Sequence, residues 1–325
     1  MQSNPISANN YPSFWLDKPY YSLNAYCRKT FHEKLYRIAV DAGMTCPNRD
    51  GTLDTRGCIF CSAGGSGDFA VKTEDLSVAQ QIDAGVSLFH EKRTGSRFIA
   101  YFQAYTNTYA PVSRLRFLYM QALKEPKVAG ISIATRPDCL PPDVLALLAE
   151  LKAAFPDKFI WIELGLQTIH EQSAAYIRRG YPLSCFIQAA AELARLQIPL
   201  IVHVILGLPG ETTNQMYETI RLLNLQPVSG IKLQLLHVLE NTDLAADYIA
   251  GKFQVLSFDT YVNLVIGILE RLSPRIVIHR LTGDGPKNLL IAPKWSLDKR
   301  KVLNTIHHEM RVRNVWQGKR LEEER

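Results

Sequence analysis

Long apolar runs are missing from this sequence. The best candidate, residues 198–208, is interrupted by His203 and falls well short of the roughly 18 residues that a membrane-spanning helix needs, so no membrane association is expected. Cysteine is scarce, six in 325 residues, and the first fifteen residues lack both a basic start and an apolar h-region. These features exclude a disulfide scaffold and make a cytoplasmic enzyme the expectation. Charged residues are 21% against 47% hydrophobic, a ratio that excludes disorder and supports a sizeable core. The net charge of +6 is local, because residues 287–325 hold ten Lys or Arg against five Asp or Glu and so supply +5 of it. That segment also carries His307, His308 and Trp316, and reads either as an anion or nucleic-acid surface or as a solvated helix face.

What is present is an alternation. Residues 34–41 alternate like a strand and lead into a glycine-rich loop, 43–68, which is long for an unstructured connection and therefore a candidate for function. A helical pattern over 78–92 precedes an apolar β run at 97–102. Helices at 112–123, 142–154, 183–196 and 213–223 then alternate with strands at 128–134, 159–164, 200–206 and 230–237. Parallel strands need long crossovers, so six apolar strands separated by amphipathic helices predict an α/β fold, a partial (β/α)6 barrel over residues 30–250. Residues 1–29 form an N-terminal extension. Residues 251–325 form a C-terminal α/β extension with helices at 260–272 and 299–313, a short strand at 276–278 and the run HRLTGDGP.

In βα barrels the functional side chains follow the C-terminal ends of the strands. The polar segments here fall in those places: the cysteine loop, then QAYTNTY, TRPD, GLQT, GLPGE and HVLENT. Cys46, Cys58 and Cys61 form C-x11-C-x2-C. Three thiolates suit a [4Fe-4S] cluster with one iron left open; zinc, which usually takes four protein ligands at a structural site, is the alternative. Cys27, Cys139 and Cys185 are isolated and read as small packing residues.

A three-cysteine loop after the first strand of such a barrel, with the aromatic Phe60 before the last cysteine, resembles the radical S-adenosylmethionine (SAM) enzymes. The long first gap is similar to the branch of the elongator catalytic subunit. Within it, TCPNRDGT, AYFQAYTNTYAP, TRPDCL, ELGLQT, GLPGE, LLHVL and HRLTGDGP resemble the YtqA/YhcC type. The resemblance implies a [4Fe-4S] cluster on Cys46, Cys58 and Cys61 whose open iron chelates SAM, and cleavage of SAM to a 5′-deoxyadenosyl radical. It places Arg136, Gln167 and Arg179 at the SAM carboxylate and ribose, His203 at the ribose, and Gly207-Leu-Pro-Gly210-Glu211 on the adenine side. Structural roles compete with each: a helix surface for Arg179, strand-end hydrogen bonds for Arg136 and Gln167, and a satisfied core position for His203. The loop after the second strand has Gln103-Ala-Tyr-Thr-Asn107 where relatives carry GGE or GGT, so the SAM amino-group contact is unassigned. The acetyltransferase domain of the elongator subunit has no counterpart in these 325 residues, so acyl transfer is not expected of them.

The type implies conversion of a carboxymethylaminomethyl group on a transfer RNA wobble uridine towards aminomethyl, with an electron donor such as flavodoxin or ferredoxin. The alternatives are a radical SAM enzyme acting on a small metabolite or protein, and a zinc-stabilised RNA-binding protein. On the substrate side, Lys232, Gln234 and His237 read as one face of the sixth strand, and His279, Arg280 and Asp284 as a polar covering loop.

Overall fold

The protein is described by a computed structural model covering residues 11–62, 65, 76–88, 95–283 and 285–321. Its strands are β1 (Tyr36–Val40), β2 (Phe98–Phe102), β3 (Val128–Thr135), β4 (Phe159–Gln167), β5 (Leu200–Leu206), β6 (Gly230–Leu235), β7 (Val238–Leu239), β8 (Val277–Arg280) and β9 (Leu290–Ala292). Seven of them form one parallel sheet in the order β1-β2-β3-β4-β5-β6-β8, and β7 pairs antiparallel with β9. The central strands are buried along almost their whole length, as expected of apolar strands with helices on one face and an interior on the other.

The helices are α1 (Leu23–Phe31), α2 (Val78–Ser87), α3 (Val112–Lys124), α4 (Pro142–Ala154), α5 (Glu171–Tyr176), α6 (Leu183–Arg195), α7 (Thr213–Leu225), α8 (Asp243–Ile249), α9 (Phe258–Arg271) and α10 (Lys299–Val312). Their starts follow local chemistry. Ser77 and Thr212 close capping boxes with Gln80 and Gln215, while Pro111, Pro141 and Pro182 precede α3, α4 and α6, where no backbone donor is needed. None of the described helices is long and apolar enough to cross a membrane.

The sheet curls into an open barrel. Arg37 on β1 and His279 on β8, the two outermost strands, meet across the interior with Nη2 and Nδ1 2.8 Å apart. The N-terminal end of the barrel is plugged by α1, where Cys27, Tyr26 and Phe31 pack with Ile99, Trp161 and Ile201. The other end stays open.

The α/β partial barrel therefore has one strand more than the pattern predicts. The short strand of the C-terminal extension becomes β8, pairing Gly230 with Val277 and Ile231 with Ile278, and α9 supplies the crossover that a parallel neighbour requires. Helix α10 packs on α9 through buried Val302, Ile306 and Met310. Its start is near the open end, since Ser296, just before it, lies 3.2 Å from His237. The helix pattern over 78–92 is realised to Ser87, and residues 89–94 lie outside the description. The sequence reading missed α1, α5, α8 and the β7–β9 pair, all short elements without a full periodic repeat.

Candidate functional site

The open end holds a cavity of 510 Å³ that all three loop cysteines line, with Phe60, Gln103, Arg136, Gln167, Arg179, His203, Lys232 and His237. The cysteine loop is shaped by its own polar bonds. Arg49 N donates to Cys46 O (2.8 Å), Gly57 N to Asn48 O (2.7 Å), and the Arg49 guanidinium to Cys61 O (3.0 Å). Gly57 has φ +78, and a Cβ there would meet Arg49 Nε at 2.9 Å, so glycine is required. Asn48 Nδ2 ties the loop to the carbonyl of Arg178 (2.6 Å) and points at Cys58 Sγ (3.5 Å). Ile59 anchors the CIFC turn among Ile177, Ile205, Leu236 and Leu244.

None of the cysteines is in a disulfide. Burial, then the neighbouring Cys61, pushes the Cys58 thiol up to about 12, a preference that a bound cation reverses because the thiolate is the ligating form. Among the described residues no three His, Cys, Asp or Glu side chains converge on one ion position. Three thiols on one cavity supply ligands for three irons of a [4Fe-4S] cluster and are one protein ligand short of a usual structural zinc site.

Arg136 forms a two-point ion pair with Asp138 (2.9 and 2.7 Å) and stacks on the Tyr181 ring, 4.9 Å from its centre. Gln167 ends β4 with φ +66, and its Oε1 is buried without a hydrogen-bond partner on the cavity. Arg179 is not on a helix surface: it is buried, donating to the carbonyls of Tyr181 (2.9 Å), Leu166 (3.2 Å) and Thr168 (2.6 Å) and to Glu171 (3.3 Å). These bonds make it a clamp on the end of β4, whatever else it contacts. Gly207 (φ +85) and Gly210 (φ +83) shape the loop after β5, outside the cavity lining, and a Cβ at Gly207 would meet Leu256 at 2.9 Å. Asp284 lies outside the described residues.

Below the cysteines is a polar layer that the sequence reading did not assemble. Its centre is Glu163 on β4, fully buried, whose carboxylate accepts from Ser132 Oγ (2.6 Å), His203 Nε2 (2.7 Å), Lys232 Nζ and Arg37 Nη2 (3.4 Å). Burial alone would raise Glu163, but Lys232 and Arg37 hold it well below the usual carboxylate range. Lys232 also donates to Tyr101 OH (2.9 Å), and Gln234 Nε2 lies 3.2 Å from His203 Nδ1. Burial lowers His203 to about 4, so the neutral ring donates to Glu163 and accepts from Gln234. Lys232 and Gln234 share a face of β6 as expected. His237 reaches the same cavity differently, because β6 ends at Leu235 and the chain turns. The available signal was a charged or titratable residue inside three largely apolar strands: Glu163 on β4, His203 on β5 and Lys232 on β6.

The Radical SAM superfamily profile matches residues 55–223, and a Radical SAM C-terminal domain profile matches 228–312. The chain is 45% identical over 327 residues to the uncharacterized protein YtqA of Bacillus subtilis, covering 100% of this chain and 99% of that one. The chain belongs to the radical SAM superfamily. The protein YhcC of Escherichia coli K12 is 34% identical over 268 residues, covering 82% of this chain and 84% of that protein. The archaeal Elp3 of Methanocaldococcus infernus has the same fold, with a TM-score of 0.65 at 12% identity; the match covers 87% of this chain and 64% of that structure. A tRNA uridine(34) acetyltransferase of Dehalococcoides mccartyi is 25% identical over 191 residues, 57% of this chain and 40% of that enzyme. This radical SAM enzyme therefore uses a [4Fe-4S] cluster and SAM. Three cysteine thiols and the orphaned Gln167 oxygen on one cavity fit those cofactors.

Proposed function

We propose that Cys46, Cys58 and Cys61 hold the cluster and that the enzyme modifies the side chain of a transfer RNA wobble uridine, taking carboxymethylaminomethyl towards aminomethyl. The observation that carries the site is the meeting of all three thiols with Arg136 and Gln167 on one cavity. When bound, the cluster and SAM supply a carbon radical able to abstract hydrogen. Gln167 would offer its Oε1 to a ribose hydroxyl, Arg136 would hold the methionine carboxylate, and Phe60, in the turn anchored by Ile59, would keep water from the reacting carbon. Gln103 lines the cavity after β2 and belongs to the proposed cofactor-binding set, with the SAM amino-group contact left unassigned.

Two observations favour RNA. One relative is by name a tRNA uridine(34) acetyltransferase. The other is α10, whose exposed Arg300 and Lys301 stand near the open end. Much of the remaining basic segment is spent on the fold, as in Arg313 to Glu309 (2.8 Å) and Arg320 to Glu270 (3.1 Å), so the RNA contact narrows to the start of α10. Phosphate contacts there position the RNA without reading its bases. An electron donor of the flavodoxin or ferredoxin class and a cytoplasmic setting belong to the same reading. Nucleoside mass spectrometry of transfer RNA from a deletion strain tests it. Accumulation of the carboxymethylaminomethyl nucleoside is expected, and an unchanged nucleoside profile contradicts the reading.

A further inference from the structure

The polar layer inside the barrel holds more positive than negative charge among its contacting groups. Lys232 and Arg37 both contact Glu163, which leaves one positive charge at this depth irrespective of the contacts Arg280 makes. Arg280 pairs in register with Lys232 and lines the same cavity. His203 and His279 do not change the balance, since burial lowers both. A buried charge in excess of its partners is costly, and burial correspondingly pushes Lys232 well below its usual range. Lys232 spends two of its three Nζ donors, on Glu163 and Tyr101, and the third has no acceptor among the described residues.

We propose that this floor is a carboxylate subsite, in which the third Lys232 N–H, with Arg280 beside it, receives a carboxylate of the substrate. The methionine carboxylate of SAM belongs at the rim with the cysteines. Glu163 is four residues before Gln167 on β4, about 13 Å along the strand at ordinary strand rise and therefore below the rim. A phosphate of an RNA backbone lies outside the barrel, whereas a short carboxylate arm on a base reaches in. That the arm belongs to a uridine rests on the reading above. The charge and the depth do not.

The test uses anaerobically reconstituted holoenzyme and two probes, N-benzylglycine, a flat ring with a CH2–NH–CH2–carboxylate arm, and N-benzylglycinamide, which keeps the ring and the amine and has an uncharged carboxamide in place of the carboxylate. Wild type should bind the acid about 10- to 100-fold more tightly than the amide. Lys232→Met should bring that ratio to within about threefold. The paired Glu163→Gln/Lys232→Met variant, which removes both buried charges and so avoids an unpaired carboxylate, should do the same. Arg280→Gln should lower the ratio less. Equal binding of acid and amide, binding of neither, or an unchanged ratio in the variants would overturn the subsite. So would displacement of N-benzylglycine by an equal concentration of inorganic phosphate. An anticodon stem-loop bearing the carboxymethylaminomethyl group separates the two claims. If it is not processed while the probe ratio holds, the RNA reading fails and the subsite stands; processing unaffected in the paired variant refutes the subsite and leaves the RNA reading intact.

Discussion

At the floor of the cavity Glu163 accepts bonds from four strands, whereas at the rim three cysteines face the same cavity from a loop and Gln167 presents an oxygen with no partner. The floor is assembled by the protein's own charges and belongs to the fold. The rim is shaped by backbone bonds around the donors proposed to hold the cofactors. Loss of a floor residue should therefore cost stability first, and loss of a rim donor should cost binding first.

The largest effect is expected at Glu163. Replacing it with Ala leaves Arg37 and Lys232 without their shared carboxylate and should cost about 3–5 kcal/mol, read as a lowered denaturant midpoint. A loss below 1 kcal/mol would mean that the floor does not hold the barrel. The two arginines at the rim sharpen the comparison next. Arg179→Ala strands three strand-end and loop carbonyls and should cost about 3 kcal/mol, while Arg136→Ala should cost under about 1 kcal/mol yet weaken SAM binding about 10- to 100-fold. Equal destabilisation by both would erase the distinction.

A smaller effect comes from pH. His203 is lowered to about 4, against about 6.5 in the unfolded chain, so below pH 6.5 the unfolded state binds the proton first. Its contribution to stability is complete above pH 6.5 and lost as the pH falls to 4, by at most about 1.4 kcal/mol per pH unit. His203→Gln should flatten that slope in denaturation measured from pH 7 to pH 5, and an unchanged slope would place the titration elsewhere. The smallest effect on either region is expected from charge reversal at Lys299, Arg300 and Lys301. Melting temperature and cluster absorbance should stay as in wild type while transfer RNA binding weakens about tenfold and its salt dependence becomes shallower. Unchanged RNA affinity would make the start of α10 a solvated face.

The barrel was legible because each βα unit repeats its own evidence. Residues 142–154 and 200–206 are read to the residue, and the other long elements to within a few. The cysteine spacing carried the rim for the same reason, being local in sequence. The floor was not legible. Glu163 is one acid in the apolar strand FIWIELGLQ, and its partners Arg37, Ser132, His203 and Lys232 stand on four other strands, so its meaning appears when the sheet curls. The backbone clamp at Arg179 was not legible either, because a sequence cannot distinguish an arginine aimed at a ligand from one aimed at backbone carbonyls.

The central claim is that the three rim thiols carry one [4Fe-4S] cluster. Iron and acid-labile sulfide should be measured in anaerobically reconstituted wild type and in the Cys46→Ala/Cys58→Ala/Cys61→Ala variant, with denaturant midpoints recorded in parallel. About four irons and four sulfides per wild-type chain, and nearly none in a variant that still folds, are expected. A full cluster in the triple variant, or zinc without sulfide in wild type, would contradict the account.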